Sequence, residues 1–241
     1  MVALTMAIAW VVGRWYGSRL HPLTQGRPAV SKFLDASLAL LGLLIAFTFS
    51  TALSKHEERR LMVVADSNAI GDLYTCASLL KEPERTELRK VLYDYTTLRV
   101  DIAKRGYDPA TFEHLMQRFQ QMHKQMTASV SQALADGTSI AVPLTNALNA
   151  TISSHTERVA AALDRLPPSI VVLLFLSAVL STMLVGREQG VANEVDIAGT
   201  VTFIVLVSLA IFVILDLNQP NQGFINVSQV PIQRLLSSMV E

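Results

Sequence analysis

Between Phe33 and Leu53 almost every position is apolar, and the chain then passes without a break signal into Ser54-Lys55-His56-Glu57-Glu58-Arg59-Arg60 and an amphipathic continuation to Leu80. No proline or glycine lies between Gly42 and Gly71. The pattern predicts one helix that leaves a membrane and carries on into water. Its apolar part, Phe33–Leu53, is 21 residues long, close to the roughly 20 that cross a ~30 Å hydrocarbon core. Two later runs, Pro168 to Val185 and Ile197 to Leu215, are apolar over comparable lengths, separated by a polar loop from Gly186 to Asp196. The first residues, Met1 to Val12, are also apolar and end in Gly13-Arg14-Trp15-Tyr16-Gly17, an interfacial mixture of arginine and aromatics. Neither a basic n-region nor a small-residue cleavage site marks a signal peptide. This stretch is read as a short first span.

Between the second and third spans the periodicity changes to amphipathic helix. Leu88, Val91, Tyr95, Leu98 and Ile102 alternate by three and four and form one seam. Asp108-Pro109 reads as an N-cap and first-turn proline, opening a helix with Phe112, Leu115, Phe119, Met122, Met126, Val130 and Ala133 on its seam. From Pro143 a last soluble helix aligns Leu144, Leu148, Ile152, His155, Val159, Ala162 and Leu166, and Pro167-Pro168 ends it. The expected architecture is an all-α integral membrane protein with four transmembrane helices. A helical bundle is inserted between the second and third, and the second span is continuous with the first bundle helix. In residue terms these are spans one and two in 1–53, the bundle in 54–166, spans three and four in 167–217 and a tail in 218–241.

Small residues recur every fourth position along the second span, at Gly42, Ala46, Ser50 and Ser54, with Ile45, Phe49 and Leu53 on a neighbouring face. A small stripe lets another backbone approach closely in lipid. The same stripe in an oligomer can line an ion path, so packing and pore both remain open at this point.

Four spans place both termini and the bundle on one side. The positive-inside rule counts Arg14, Arg19, Arg27, Lys32 and Arg187 on one side against Arg234 on the other, leaving the bundle outside. Lys55, Arg59, Arg60 and Arg165 near the membrane on the bundle side pull the other way.

Composition sharpens this picture. The chain is 51% hydrophobic and 17% charged, with mean hydropathy +0.37, too apolar for an ordinary soluble domain. A net charge of zero without charge blocks excludes nucleic acid as an expected partner. Cys76 is the only cysteine and has no intramolecular disulfide partner. No phosphate loop, nucleophile motif or metal-ligand spacing is present, His114 and His123 included, so no cofactor, metal or enzymatic activity is expected.

A few polar residues stand out. His155 occupies a seam position otherwise filled by aliphatic residues, as either a core histidine held by a hydrogen bond or a pH switch. Asp35 and Asp216 are span-end carboxylates, read as interfacial groups or parts of an ion path. Asn68 and Asp72 are expected to form a polar cluster with Asp66 and with Arg59 or Arg60 at a subunit interface. Glu157 and Arg158 read as solvated charges unless the bundle buries them.

Several stretches resemble the bacterial membrane family of bestrophin-like domain proteins. They are Ala46-Phe47-Thr48-Phe49-Ser50 with Glu57-Glu58-Arg59-Arg60; Asp66-Ser67-Asn68-Ala69-Ile70-Gly71; Pro143-Leu144-Thr145-Asn146-Ala147-Leu148-Asn149 with His155-Thr156-Glu157-Arg158; and Leu215-Asp216-Leu217-Asn218-Gln219-Pro220 to Gly223 with Val227-Ser228-Gln229. The chain departs from the pattern at Asp66, where the family usually has the longer Glu, and at Ser67. Bestrophins are homopentameric anion channels with four spans and a large cytosolic helical part, and their second span lines the pore with apolar side chains. The resemblance therefore implies a homo-oligomer, a pentamer on this ground alone, in the bacterial inner membrane with a cytosolic bundle, against the loop count. It also implies a constriction at Ile45, Phe49 and Leu53 that gates ions by dewetting. The rival expectation is a membrane-anchored sensor or scaffold whose bundle binds a ligand or partner without conducting ions.

Overall fold

A computed structural model describes residues 1–20, 31–105, 111–219 and 223–240. Among these residues there are eight α-helices and no strand: α1 (Val2–Leu20), α2 (Ser31–Ser78), α3 (Glu84–Arg105), α4 (Phe112–Ala135), α5 (Ala141–Leu163), α6 (Pro168–Ala192), α7 (Ile197–Leu217) and α8 (Val230–Ser238). The expected α4 start at Asp108-Pro109 lies outside the described residues, as does Arg27. The chain divides into two compact units, Met1–Ser54 with Arg165–Gln219, and Lys55–Asp164 with Pro220–Glu241. Helix α2 is unbroken and gives its first part to one unit and its second to the other.

The first unit holds α1, the start of α2, α6 and α7. Three stretches are long and apolar enough to cross a membrane: Lys32–Ser78, Ala141–Ala192, which carries α6, and Ile197–Leu217. Helix α1 is not among them, although its 19 residues form a regular helix. The unit's core gathers Met6, Leu41, Leu174, Ala178, Ile211 and Ile214. Its outer surface exposes Leu40, Leu43, Phe47, Leu176, Leu180, Val201 and Leu206, a density of apolar surface that suits lipid or another protein and not water.

Glycine determines how α1 meets α6. A Cβ at Gly13 would run into the carbonyl oxygen of Met183, one at Gly17 into that of Arg187, one at Gly186 into that of Trp10 and one at Gly190 into that of Arg14. Each helix presents its glycines four apart to the other's backbone, the close approach that small residues permit in membranes. This contact corrects the expected loop from Gly186 to Asp196. Helix α6 continues to Ala192, because Gly186 and Gly190 are packed on α1 and Gln189 is held on both sides. Trp10 Nε1 donates to its Oε1 at 3.0 Å, and its Nε2 donates to Thr200 Oγ1 at 2.9 Å. Asn193 then stops the helix in the left-handed region at φ 54°, and the Asp196 side chain caps α7 by accepting from Gly199 N–H at 2.8 Å. At the other end of α6, Pro167 is extended, and the side-chain oxygen of Asn218 accepts the Leu166 N–H at 2.7 Å.

The second unit is the bundle: the later part of α2, with α3, α4, α5 and α8. Ile70, Leu73, Leu88, Leu92, Phe119, Met126 and Leu144 are buried together. The seams expected for α3 and α4 point into this core, since Leu88, Tyr95, Leu98, Phe119, Met122, Met126, Val130 and Ala133 are all buried. The C-terminal helix joins it through Ile232, which is fully buried, and Met239, while Tyr74 Oη donates to the Met239 carbonyl at 3.1 Å.

Candidate functional site

The buried face of α5 carries more than aliphatic side chains. Thr151, Ser154 and His155 are buried on it alongside Leu144, Ala147 and Leu148, and Arg158 follows one turn on. A purely apolar seam misses this face because its polar members are spaced like core residues. The reason they are there is Asp66 on α2, which is fully buried. Ser154 Oγ and Arg99 Nη2 each donate to its Oδ1 at 3.2 Å, and Arg158 Nη1 donates to its Oδ2 at 2.6 Å. A carboxylate removed from water needs such partners. Thr151 Oγ1 meanwhile donates to the Ala69 carbonyl at 3.1 Å, pinning α5 to α2 one turn along.

Arg99 connects this carboxylate to a ring cluster. Its Nη2 also lies 2.9 Å from Tyr95 Oη and 2.8 Å from His155 Nδ1, so its two N–H bonds are shared among three acceptors. Because Nδ1 accepts, the His155 proton sits on Nε2. Burial first, and then the Arg99 charge, push the His155 pKa down to about 3, which favours the neutral ring. The same two causes lower His123, and burial raises the Tyr95 phenol to about 12. His123 and His155 meet edge to face with centroids 4.8 Å apart, and Phe119 lies 4.8 Å from His155. The Arg99 guanidinium is 4.8 Å from the Phe119 ring centre and 5.1 Å from that of Tyr95, within cation–π range.

Beside this network is a cavity of about 100 Å³, lined by Arg59, Arg99 and Arg158 and by a larger set of apolar side chains from α2, α3, α4 and α5. Arg59 is buried and donates from Nε to the Ala161 carbonyl at 3.1 Å and from Nη2 to the Asp164 carbonyl at 2.8 Å, occupying the C-terminal carbonyls of α5. Arg158 Nη2 donates to Gln229 Oε1 at 2.8 Å. The Nε of Arg99 is buried and has no hydrogen-bond partner among the described residues.

A bestrophin-like domain is matched over residues 1–232. The chain belongs to the bestrophin-like family. No curated protein and no solved structure matches it. Within this bestrophin-like chain, Asp66 and His155 belong to one network with Tyr95, Arg99, Ser154 and Arg158, and Arg59 lines the cavity beside it with Arg99 and Arg158. Arg158 is thereby half-buried and paired with Asp66, while Glu157 stays exposed.

The remaining polar candidates are dispersed. Arg60 is exposed and paired with Glu57 at 2.9 Å. Asn68 and Asp72 are exposed, in a shallow groove with Arg234 and Leu235. Asp35 is exposed near the start of α2 and Asp216 is buried in the last turn of α7. On the membrane part of α2, Leu41, Thr48 and Ala52 are buried, whereas Gly42, Ala46, Ser50 and Ser54 are all exposed. Nothing among the described residues lies within 4 Å of a Cβ built at Gly42. Phe49 and Leu53 are also exposed and Ile45 is half-buried. No group of three or more metal-ligating side chains occurs among the described residues.

Proposed function

We propose that this bestrophin-like protein assembles with copies of itself in a bacterial inner membrane and passes ions, anions by family resemblance, along its second helix. In this reading α1, α2, α6 and α7 all cross the lipid, both termini and the bundle share one side, and five chains surround the path. The observation that supports it is the division of α2 at about 3.6 residues per turn. Leu41, Thr48 and Ala52 pack inward, while Gly42, Ala46, Ser50 and Ser54 on the opposite side are exposed. A small-residue face uncovered in one chain is suited to another chain's helix, and Ile45, Phe49 and Leu53 beside it would supply an apolar constriction. Ion flux through liposomes carrying the purified protein, with native mass spectrometry of the same sample, tests this. An ion-tight protein, or a stable monomer, overturns it.

A second reading, a membrane-anchored sensor that conducts nothing, is supported by the pocket of about 100 Å³ in the bundle, lined by Arg59, Arg99 and Arg158 and by apolar side chains.

A further inference from the structure

Helix α7 ends at Leu217, and the side chain of the next residue, Asn218, accepts the Leu166 N–H at 2.7 Å, just before α6 begins at Pro168. The last turn of one apolar helix is thereby tied to the start of another. Further along, Gln229 Oε1 accepts from Arg158 Nη2 at 2.8 Å. The chain that leaves α7 is thus fastened twice to the same short stretch, 158–166, that leads into α6. Between the two fastenings stand Phe224, 87% exposed, and Ile225, 41% exposed, in a segment that forms no helix. Phe224 follows Asn218 by six residues, a reach of at most about 20 Å.

An aromatic ring and a branched aliphatic side by side in water forgo the gain of burial. The surroundings along the chain indicate which solvent replaces water. Leu163 is exposed one turn before Leu166, and Ile170, Val172 and Leu173 are exposed in the first turns of α6. Apolar surface therefore flanks the Leu166–Asn218 tie on both sides in sequence, and Arg165 is exposed within it. Apolar residues with an arginine at the end of a membrane helix suit the layer where acyl chains meet phosphates, and aromatic rings concentrate there. A water-soluble partner would have no reason to prefer the surface that α6 turns to lipid.

We propose that Phe224 and Ile225 are a lipid anchor, by which the segment between α7 and α8 dips into the boundary of headgroups and acyl chains on the side where α7 ends. The anchor rests on α6 and α7 crossing the lipid, as in the function proposed above, and is independent of conduction. It sets a lipid contact five residues from Gln229, the partner of Arg158.

Spin labels on the full-length protein in phosphatidylethanolamine and phosphatidylglycerol liposomes test it. In a Cys76→Ser background, single labels are placed by Phe224→Cys, by Val205→Cys on the exposed face of α7 and by Lys81→Cys, exposed in the turn after α2. Each is read for collision with oxygen, which partitions into lipid, and with a nickel chelate, which stays in water. The ratio of oxygen to chelate accessibility at 224 should exceed that at 81 several-fold and fall below that at 205. Ile225→Cys, which keeps the phenylalanine, takes its place should Phe224→Cys fail to fold. A loop label as water-accessible as the one at 81, with 205 deep in lipid, overturns the anchor and leaves the spans intact. A water-accessible label at 205 overturns both. A loop label reached by neither reagent, and so covered by protein, also overturns the anchor.

Discussion

Asp66 on α2 and Arg158 on α5 are 92 residues apart in the chain and joined by a 2.6 Å hydrogen bond in the fold. Arg99 reaches the same carboxylate from α3, so one buried anion ties together three helices. Replacing Asp66 by Asn leaves two buried guanidinium groups facing each other with no counter-charge, and a broken buried pair costs about 3–5 kcal/mol. The melting temperature of the bundle should fall steeply. Adding Arg158→Met to Asp66→Asn should recover part of the loss, a coupling that a double-mutant cycle reads directly. Independent, additive effects would mean that the two charges do not depend on each other.

Buried neutral histidine makes the bundle acid-sensitive. An unfolded chain takes up a proton at His155 near the ordinary value of 6.5, and the folded chain holds out to about 3. In that interval the unfolded state binds more protons, so stability is full above about pH 7 and falls as pH drops, by up to ~1.4 kcal/mol per pH unit. His123, lowered by the same causes, adds in the same direction. Thermal melts from pH 7.5 down to 5 should show this slope, and His155→Asn, which keeps an acceptor for Arg99, should flatten it. An unchanged slope would assign the acid sensitivity elsewhere.

The helix pair α1 and α6 should tolerate no side chain at its crossing. Gly13→Ala and Gly186→Ala each drive a methyl group into a main-chain carbonyl, and overpacking of this kind typically costs about 1–3 kcal/mol or more. Both variants should lose thermal stability in detergent. Gly42→Ala, where nothing among the described residues lies within 4 Å, should leave the isolated protomer as stable as wild type and alter only self-association. Equal losses at all three positions would point to helix flexibility and not to packing.

If α2 lines an ion path as proposed, widening its apolar face should alter conduction. Phe49→Ala replaces an exposed aromatic on α2 with a methyl group, which makes an apolar constriction easier to wet. Liposome flux should rise several-fold with the bundle's melting temperature unchanged. Flux indistinguishable from wild type would remove Phe49 from the path.

What could be read from the sequence follows from the range of the forces involved. The helical register of α3 and α4 is local, set by apolar residues three and four apart, and Leu88, Tyr95, Phe119 and Met126 lie inside as that spacing predicts. The extension of α6 past Gly186 could not be seen that way. Glycine and a run of polar residues signal a loop until α1 supplies a backbone for the glycines to fit and Trp10 supplies a partner for Gln189. Arg99, Ser154 and Arg158 were equally hidden, because polar residues on a core face look solvated unless the distant carboxylate that they share is known. Asp66 and His155 were legible as unusual, the first by its departure from the family pattern and the second by its place among aliphatic residues. Arg158 with its neighbour Gln229 needed the fold.

The packing of Ile232, Met239 and Gln229 into the unit that begins at Lys55 sets an order of events during synthesis. The bundle's last pieces leave the ribosome only after α6 and α7 have been translated. Until then α2 to α5 wait with an open flank, and completion of the bundle is tied to translation of the last apolar helices. A chain stalled or cut before Val230 would carry its hydrophobic helices and still present an unfinished bundle to the cell's proteases.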